Sequence, residues 1–345
     1  MSTQVLAHGA PPVRGRIRVA PEDFEVDEVL GFEPDGHGTH VLLRVEKNGA
    51  NTAWVASQLA RVGNVPPAEV GYSGLKDRRA LTRQAFTVPI ATGDDLSVWR
   101  SHAGEGYRVL DAHRHTRKLR RGSHRANRFR IVVREVSGAV DELAARLGAI
   151  QSLGVPNYFG AQRFGRSSGN LVRARSWAAG GDAPRDRQAR GFALSAARSE
   201  LFNRVLTERV RLNCWNRLLP GEAIMLDGRR SFFTSDSIDA ALEARCAEFD
   251  VHPSGPLHGR GAPAPRGAAR DLESGVLATE PELVALLESE GLETERRPTR
   301  MRVRSIVWRR AADVIELEFE LGRGGFATTV LRELLAGDAE IPDVD

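Results

Sequence analysis

The chain has 345 residues, 41% of them apolar and 27% charged, with 49 Lys+Arg against 45 Asp+Glu and a formal charge of +4. That balance excludes a chain disordered throughout, and the length suits two domains of roughly 100–200 residues each. No apolar run approaches the ~20 residues a bilayer-spanning helix needs, and residues 1–12 lack the basic and apolar regions of a secretory signal, so no membrane association and a cytoplasmic location are expected.

In chain order, residues 41–45 read as a strand. Asn51 is placed to cap a helix running to about Val62, with Val55 and Leu59 on one face, and Pro66 and Pro67 stop its continuation. Short strands at 70–73 and 86–88 bracket a polar loop, Gly74-Leu75-Lys76-Asp77-Arg78-Arg79. Residues 113–134 hold nine Arg/Lys, three His and no acid. The block ends in the apolar run 131–133, so it feeds a strand. A basic ribbon anchored on a sheet is a plausible phosphate-binding surface, because like charges repel unless a polyanion faces them.

Residues 140–153 predict a helix ended by Gly154 and Pro156. Helical periodicity recurs at 198–212 through Leu201, Phe202, Val205 and Leu206. Two cysteines, Cys214 and Cys246, are too few for a disulfide scaffold or a zinc site. The Gly/Pro/Arg-rich stretch 252–270 predicts a long loop. From Met301 strand character returns, with Ile315, Leu317 and Phe319 alternating against Glu316, Glu318 and Glu320. Gly324-Gly325 forms a turn and 326–335 a helix, and an acidic tail follows Gly337.

Four segments could carry chemistry. Asp77 sits among Lys76, Arg78 and Arg79, whose charges keep a carboxylate ionised, as a nucleophile or general base requires. The competing reading is an exposed, salt-bridged loop aspartate. Asn127 offers an amide to a base edge beside Phe129, whose ring either stacks on a base or starts a strand and points inward. Residues 156–165, PNYFGAQRFG, pack three aromatics, two glycines, an arginine and two amides into ten positions. They form either a ligand-facing loop or a packed aromatic turn. Phe326 precedes a helix and either faces a ligand or acts as a hydrophobic staple. Phosphate-loop, dinucleotide, nucleophile-elbow and zinc-deaminase signatures are absent.

Together these segments resemble the TruD family of tRNA pseudouridine synthases. The motifs are Pro21-Glu22-Asp23-Phe24, GFEPDG at 31–36, Lys47-Asn48-Gly49, GLKDRRALTRQ at 74–84 and RHTRKLRRG at 114–122. They continue with Asn127-Arg128-Phe129, PNYFGAQRFG at 156–165, SELFN at 199–203, Gly255-Pro256-Leu257 and GGFATTVLREL at 324–334. They cover nearly the whole chain, in family order.

The resemblance implies an α+β fold. A pseudouridine-synthase catalytic domain with a mixed β-sheet, 1–152 plus 299–345, is interrupted by a family-specific α/β insertion domain, 153–298. RNA is expected in the cleft between the two. It further implies a catalytic Asp77 acting on a flipped-out uridine, with Phe24, Asn127 and Phe326 touching the substrate and Phe129 shaping the pocket. The implied substrate is uridine 13 of tRNA, with no metal or other cofactor, and a monomer is expected. The bacterial pattern often has lysine at the position of Arg18; arginine keeps the charge and could pair bidentately with Asp77, but it cannot serve as a proton donor. Arg114, Arg117, Lys118, Arg120 and Arg121 of the basic block are expected to grip the RNA backbone. The same scaffold could instead belong to a non-catalytic RNA-binding or RNA-chaperone protein. A metal-dependent hydrolase would want further carboxylates beside Asp77.

Overall fold

The structure is a computed structural model and describes residues 4–337; the acidic stretch after Gly337 lies outside them. Its residues group into two compact units, one built from Val13–Gly138 with Arg304–Gly324, the other from Ala139–Val303 with Gly325–Ala336 and the N-terminal residues up to Pro12.

The first unit is organised by a ten-stranded mixed sheet. In chain order its strands begin with β1 (Val13–Arg16), β2 (Phe24–Val29), β3 (His40–Lys47) and β4 (Gly71–Tyr72). Next come β5 (Leu81–Pro89), β6 (Ala103–Gly104), β7 (Tyr107–His115) and β8 (Ala126–Gly138), and the hairpin Val303–Ala311/Val314–Gly322 completes it. The hairpin's second strand lies against β8, followed by β2, β5, β3, β7 and β6. β2 and β5 run parallel, while β2–β8, β3–β5 and β3–β7 are antiparallel.

The pleat sorts the residues of each strand to two faces. Ile315, Leu317, Phe319 and Leu321 are buried, as their alternation predicts. On one face, helix α1 (Thr52–Val62) covers Val41, Leu43, Val45, Phe86 and Val88 with Val55, Ala56, Leu59 and Ala60. Each such aliphatic side chain stabilises the fold by about 1.5–3 kcal/mol through burial. On the opposite face charges interdigitate across strands: Arg83 bonds Glu25, Asp27 and Glu46, and Arg130 bonds Glu25 and Glu316. Asn51 takes the N-cap position of α1, but its side chain makes no capping hydrogen bond.

The second unit is built around the helix Arg187–Arg211, longer than its apolar periodicity suggests, with Gly169–Ala178, Gly267–Leu277 and Pro281–Ser289 against it. Two two-stranded sheets and one three-stranded sheet lie within its described residues. Its core includes the ion pair Arg209–Glu222 at 2.9 Å, with both side chains fully buried, and the pair Arg296–Glu273 at 2.6 Å.

The expected loop at 252–270 is in large part regular. Ser254–Leu257 pairs with Glu295–Pro298, and the helix Gly267–Leu277 starts inside the stretch. Glycine and proline composition suggests a loop, but both residues have positional reasons here. A Cβ on Gly255 would meet the Phe202 ring at 3.0 Å, and Pro256 sits in a two-stranded sheet, where an absent N–H is tolerated. Cys214 and Cys246 are buried free thiols. Among the described residues no helix is long and apolar enough to cross a membrane.

Candidate active site

Asp77 lies in the loop between β4 and β5, and its carboxylate is fixed from both sides. Oδ1 accepts from the Arg79 amide at 2.9 Å, and Oδ2 lies 2.6 Å from Arg18 Nη2. The side chains of Arg18 and Asp77 are 6% and 15% exposed, so the pair meets little competition from water. Burial, opposed by the Asp77 charge, holds the Arg18 guanidinium below its ordinary pKa. The contact is monodentate, not the expected bidentate fork, and Arg18 Nε and Nη1 are buried without a hydrogen-bond partner. The guanidinium lies over the Phe24 ring, 4.2 Å from its centroid, and Arg18 adopts φ +59°. Such a backbone is strained for arginine, by roughly 1–3 kcal/mol.

The loop backbone is held from beneath by groups that sequence reasoning left without a role. Lys47, fully buried at the end of β3, donates through Nζ to the carbonyls of Ala50 (3.0 Å), Lys76 (3.3 Å) and Asp77 (2.9 Å). Burial pushes its pKa down to about 8, with the Asp77 charge opposing and Lys76 adding to the shift. Thr52 Oγ1 accepts from the Lys76 amide and donates to Gln84, which in turn donates to the Gly74 carbonyl. Lys76 reaches away from Asp77 to a buried ion pair with Glu28 at 2.7 Å. Arg78 donates to the Gly49 carbonyl. The motif Lys47-Asn48-Gly49 was the available signal: its lysine and glycine both touch this loop.

Phe24, Phe129 and Asn127 gather on the same sheet face. β2 pairs with β8 so that Val26 faces Phe129 and Glu28 faces Asn127. The Phe24 and Phe129 rings meet edge-on at 6.2 Å, and Phe129 stacks on Phe319 at 5.5 Å. Both rings are buried, Phe24 3% and Phe129 6% exposed, so Phe129 is a strand residue packed against Phe24 in the core. Asn127 is 9% exposed and its Oδ1 is buried with no partner. A buried amide oxygen left unpaired costs about 1–3 kcal/mol, which a ligand N–H would recover.

The basic block passes the start of the Asp77 loop. Gly122 N donates to the Ser73 carbonyl at 2.7 Å, and Ser73 and Ser123 hydroxyls share a hydrogen bond. Arg117, Arg120 and Arg121 are exposed, with Arg121 over the Tyr72 ring at 5.3 Å. Lys118 is half-buried and binds the Ala68 carbonyl. Arg114 donates to the carbonyls of Gly38, Ala91 and Asp94, so its fork is already occupied by backbone. No group of three or more His, Cys, Asp or Glu side chains is placed to hold a metal ion among the described residues.

Phe326 belongs to the second unit, where it is the half-buried N-cap residue of the helix Ala327–Arg332. Residues 156–165 lie in that unit too and are tightly packed: Tyr158, Phe159 and Phe164 are buried, and Asn203 binds both the amide and the carbonyl of Phe159.

Comparison with known proteins is consistent along the chain. The family model for tRNA pseudouridine synthase D (TruD) matches residues 1–173 and 186–334. A tRNA pseudouridine synthase D of Methylococcus capsulatus is 47% identical, over 97% of this chain and 94% of its own length. That of Nitrosococcus oceani is 46% identical, over 96% and 94%. A solved structure of a Methanosarcina mazei protein given the same family designation superposes with a TM-score of 0.74 over 97% of each chain at 19% identity, a likeness of fold.

Proposed function

The chain belongs to the tRNA pseudouridine synthase D family, and from that premise we propose that it isomerises uridine 13 of tRNA to pseudouridine, without a cofactor, through Asp77. The observation that supports this most strongly is the fixed Asp77 carboxylate, bound by Arg18 and the Arg79 amide on a loop tied down by Lys47, Thr52 and Gln84.

The chemistry asks for a carboxylate that is ionised and immobile. The target nucleoside is flipped from the RNA, at a cost of a few kcal/mol of unstacking. The carboxylate supplies an electron pair to the nucleoside, at ribose C1′ or at base C6. The N1–C1′ bond breaks, the uracil turns, and C5 bonds to C1′. The proton on C5 leaves to solvent, N1 gains one, and Asp77 is released unchanged. Phe24 is read as a substrate contact although it is 3% exposed beneath the Arg18 guanidinium, and Asn127 Oδ1 is an acceptor suited to the N3–H of uracil. Phe129 packs against Phe24 within the sheet, and for Phe326 the family resemblance implies a substrate contact. Arg117, Lys118, Arg120 and Arg121 are read as phosphate contacts, with Arg114 fixing the end of β7, from which their loop departs.

For the domains, we take 1–152 plus 299–345 as catalytic and 153–298 as the insertion. The compact units divide at different points, grouping the helix Leu143–Leu153 and the segment Gly325–Ala336 with the insertion. The positional assignment is tested by carbodiimide mapping of a tRNA transcript after incubation. A reverse-transcription stop assigned to position 13, lost when that uridine is replaced by cytidine, is expected. Modification at another uridine alone would overturn it.

A further inference from the structure

The second unit holds two arginines that share one aromatic ring and have no acidic partner among the described residues. Arg297 lies over Phe159 at 4.1 Å from the ring centroid, and Arg163 lies over the same ring at 5.1 Å. Arg297 also binds the Asn157 side-chain oxygen at 2.6 Å, and Arg163 reaches the Ser195 hydroxyl at 3.2 Å. No carboxylate of the described residues neutralises either guanidinium. Burial and the neighbouring Arg163 charge push Arg297 down to about 9. Arg163 is exposed and Arg297 half-buried; holding the Arg297 charge away from water beside a second cation is costly, and cation–π contact returns only about 0.5–2 kcal/mol. Of the other buried arginines in this unit, Arg209 pairs with Glu222 and Arg296 with Glu273, whereas Arg300 donates to His252 and to backbone carbonyls.

Phe159, the platform, is immobilised. Its amide and carbonyl are bonded to Asn203, Gln4 adds a hydrogen bond to the carbonyl, and Phe202 meets the ring edge-on at 5.5 Å. The neighbouring Gly160 lies beside Thr328: a Cβ there would be 3.9 Å from the Thr328 hydroxyl. Thr328 is two residues from Phe326, so the arginine pair adjoins the segment assigned to the substrate.

We propose that Arg163 and Arg297, mounted on Phe159, form a binding site for an RNA backbone phosphate next to Phe326. This site rests on the reading of the protein as a tRNA-modifying enzyme, and it gives residues 156–165 a function beyond packing. Arg163 is the exposed member, with N–H groups free for an anion, while Arg297, whose Nε and Nη2 bond Asn157, adds its charge to the attraction.

The test is tRNA binding by filter retention across a salt series, using the full chain and an unmodified transcript. Arg163→Gln is expected to weaken binding about 5-fold at moderate salt and to reduce the slope of log K against log salt by about 0.7–1. Arg163→Lys is expected to keep the slope, and Arg163→Glu to weaken binding further. The exposed Arg173, which donates to the Asn170 side-chain oxygen, serves as a control, and Arg173→Gln should leave the slope as it is. An unchanged slope for Arg163→Gln, an equal loss for Arg173→Gln, or a loss that tracks a lowered melting temperature would each overturn the site. Tritium release by the wild type separates this from the function itself. Release with an unchanged Arg163→Gln slope sinks the phosphate site alone; no release with a flattened slope sinks the isomerase reading and leaves the site standing.

Discussion

Arg18 meets Asp77 through one atom pair, Nη2 to Oδ2 at 2.6 Å, while its own Nε and Nη1 stay buried and unpaired. One nitrogen satisfies the carboxylate, and the other two face no acceptor among the described residues. Arginine does not lose its proton in the working pH range, so its contribution is charge and hydrogen bonding. Arg18→Lys, which preserves one donor and the charge, is therefore expected to keep kcat within about 10-fold, whereas Arg18→Ala should lose about 100-fold or more. Equal losses for both would mean that the fork geometry, and not the charge, is what the reaction uses.

Asp77→Asn preserves the side chain's shape and the hydrogen bond from the Arg79 amide. It removes the charge and the nucleophilic oxygen. Turnover should fall below detection, with the Kd for tRNA changed by less than about 3-fold. A large loss of affinity would make Asp77 a binding residue.

Lys47 ties pH to the loop. Its folded pKa of about 8 lies below the ordinary lysine value of 10.5, because burial disfavours the charge. Below pH ~8 the ammonium donates to all three carbonyls. Above it the amine has two N–H bonds, and one carbonyl loses its donor. Activity should therefore fall as pH rises through about 8. Stability should move the other way, because between about pH 8 and 10.5 the unfolded chain binds more protons than the folded one. Tritium-release rates and urea unfolding across this range check both signs. In Lys47→Met the alkaline limb should vanish and kcat should drop with KM little changed. An unaltered limb in that variant would assign the titration to another group.

Phe326 is a half-buried aromatic at the N-cap of the helix Ala327–Arg332. Stacking on a base is worth about 1–3 kcal/mol. Phe326→Ala is expected to lower kcat/KM by about 10- to 100-fold while shifting the melting temperature little. A collapse of stability in step with activity would return Phe326 to the core.

Arg117 and Arg120 are exposed members of the basic block. Arg117→Ala and Arg120→Ala should each weaken tRNA binding and reduce its salt slope by about 0.7–1. Arg114→Ala should act differently, by loosening the segment whose Gly38, Ala91 and Asp94 carbonyls it binds. Its melting temperature should fall, and a normal melting temperature with a flattened slope would make Arg114 a phosphate contact after all.

What could be read from the sequence followed from local pattern. Strand alternation at Ile315, Leu317 and Phe319 and the apolar stripe Val55–Leu59 both reflect a single buried face, which periodicity reports directly. The Asp77 loop was legible because four charges cluster in four residues. Its supports were not, because they come from elsewhere in the chain. Lys47 lies 30 residues before Asp77, and a lysine at the end of a strand reads as solvent-facing until the fold buries it. The Arg18 contact became monodentate because its guanidinium is drawn over Phe24. The stretch 252–270 misleads for the opposite reason: its glycine and proline answer to Phe202 and to a sheet edge that only tertiary structure supplies.

The central claim is tested most directly by tritium release from tRNA carrying 5-tritiated uridine, in the presence of chelator, for the wild type and Asp77→Ala. Isomerisation replaces the C5–H bond with a C5–C1′ bond, so each turnover frees one tritium. Release by the wild type and none by the variant is the predicted result. Wild-type protein that binds the same tRNA tightly yet releases no tritium, or a variant that releases it at the wild-type rate, would contradict the account.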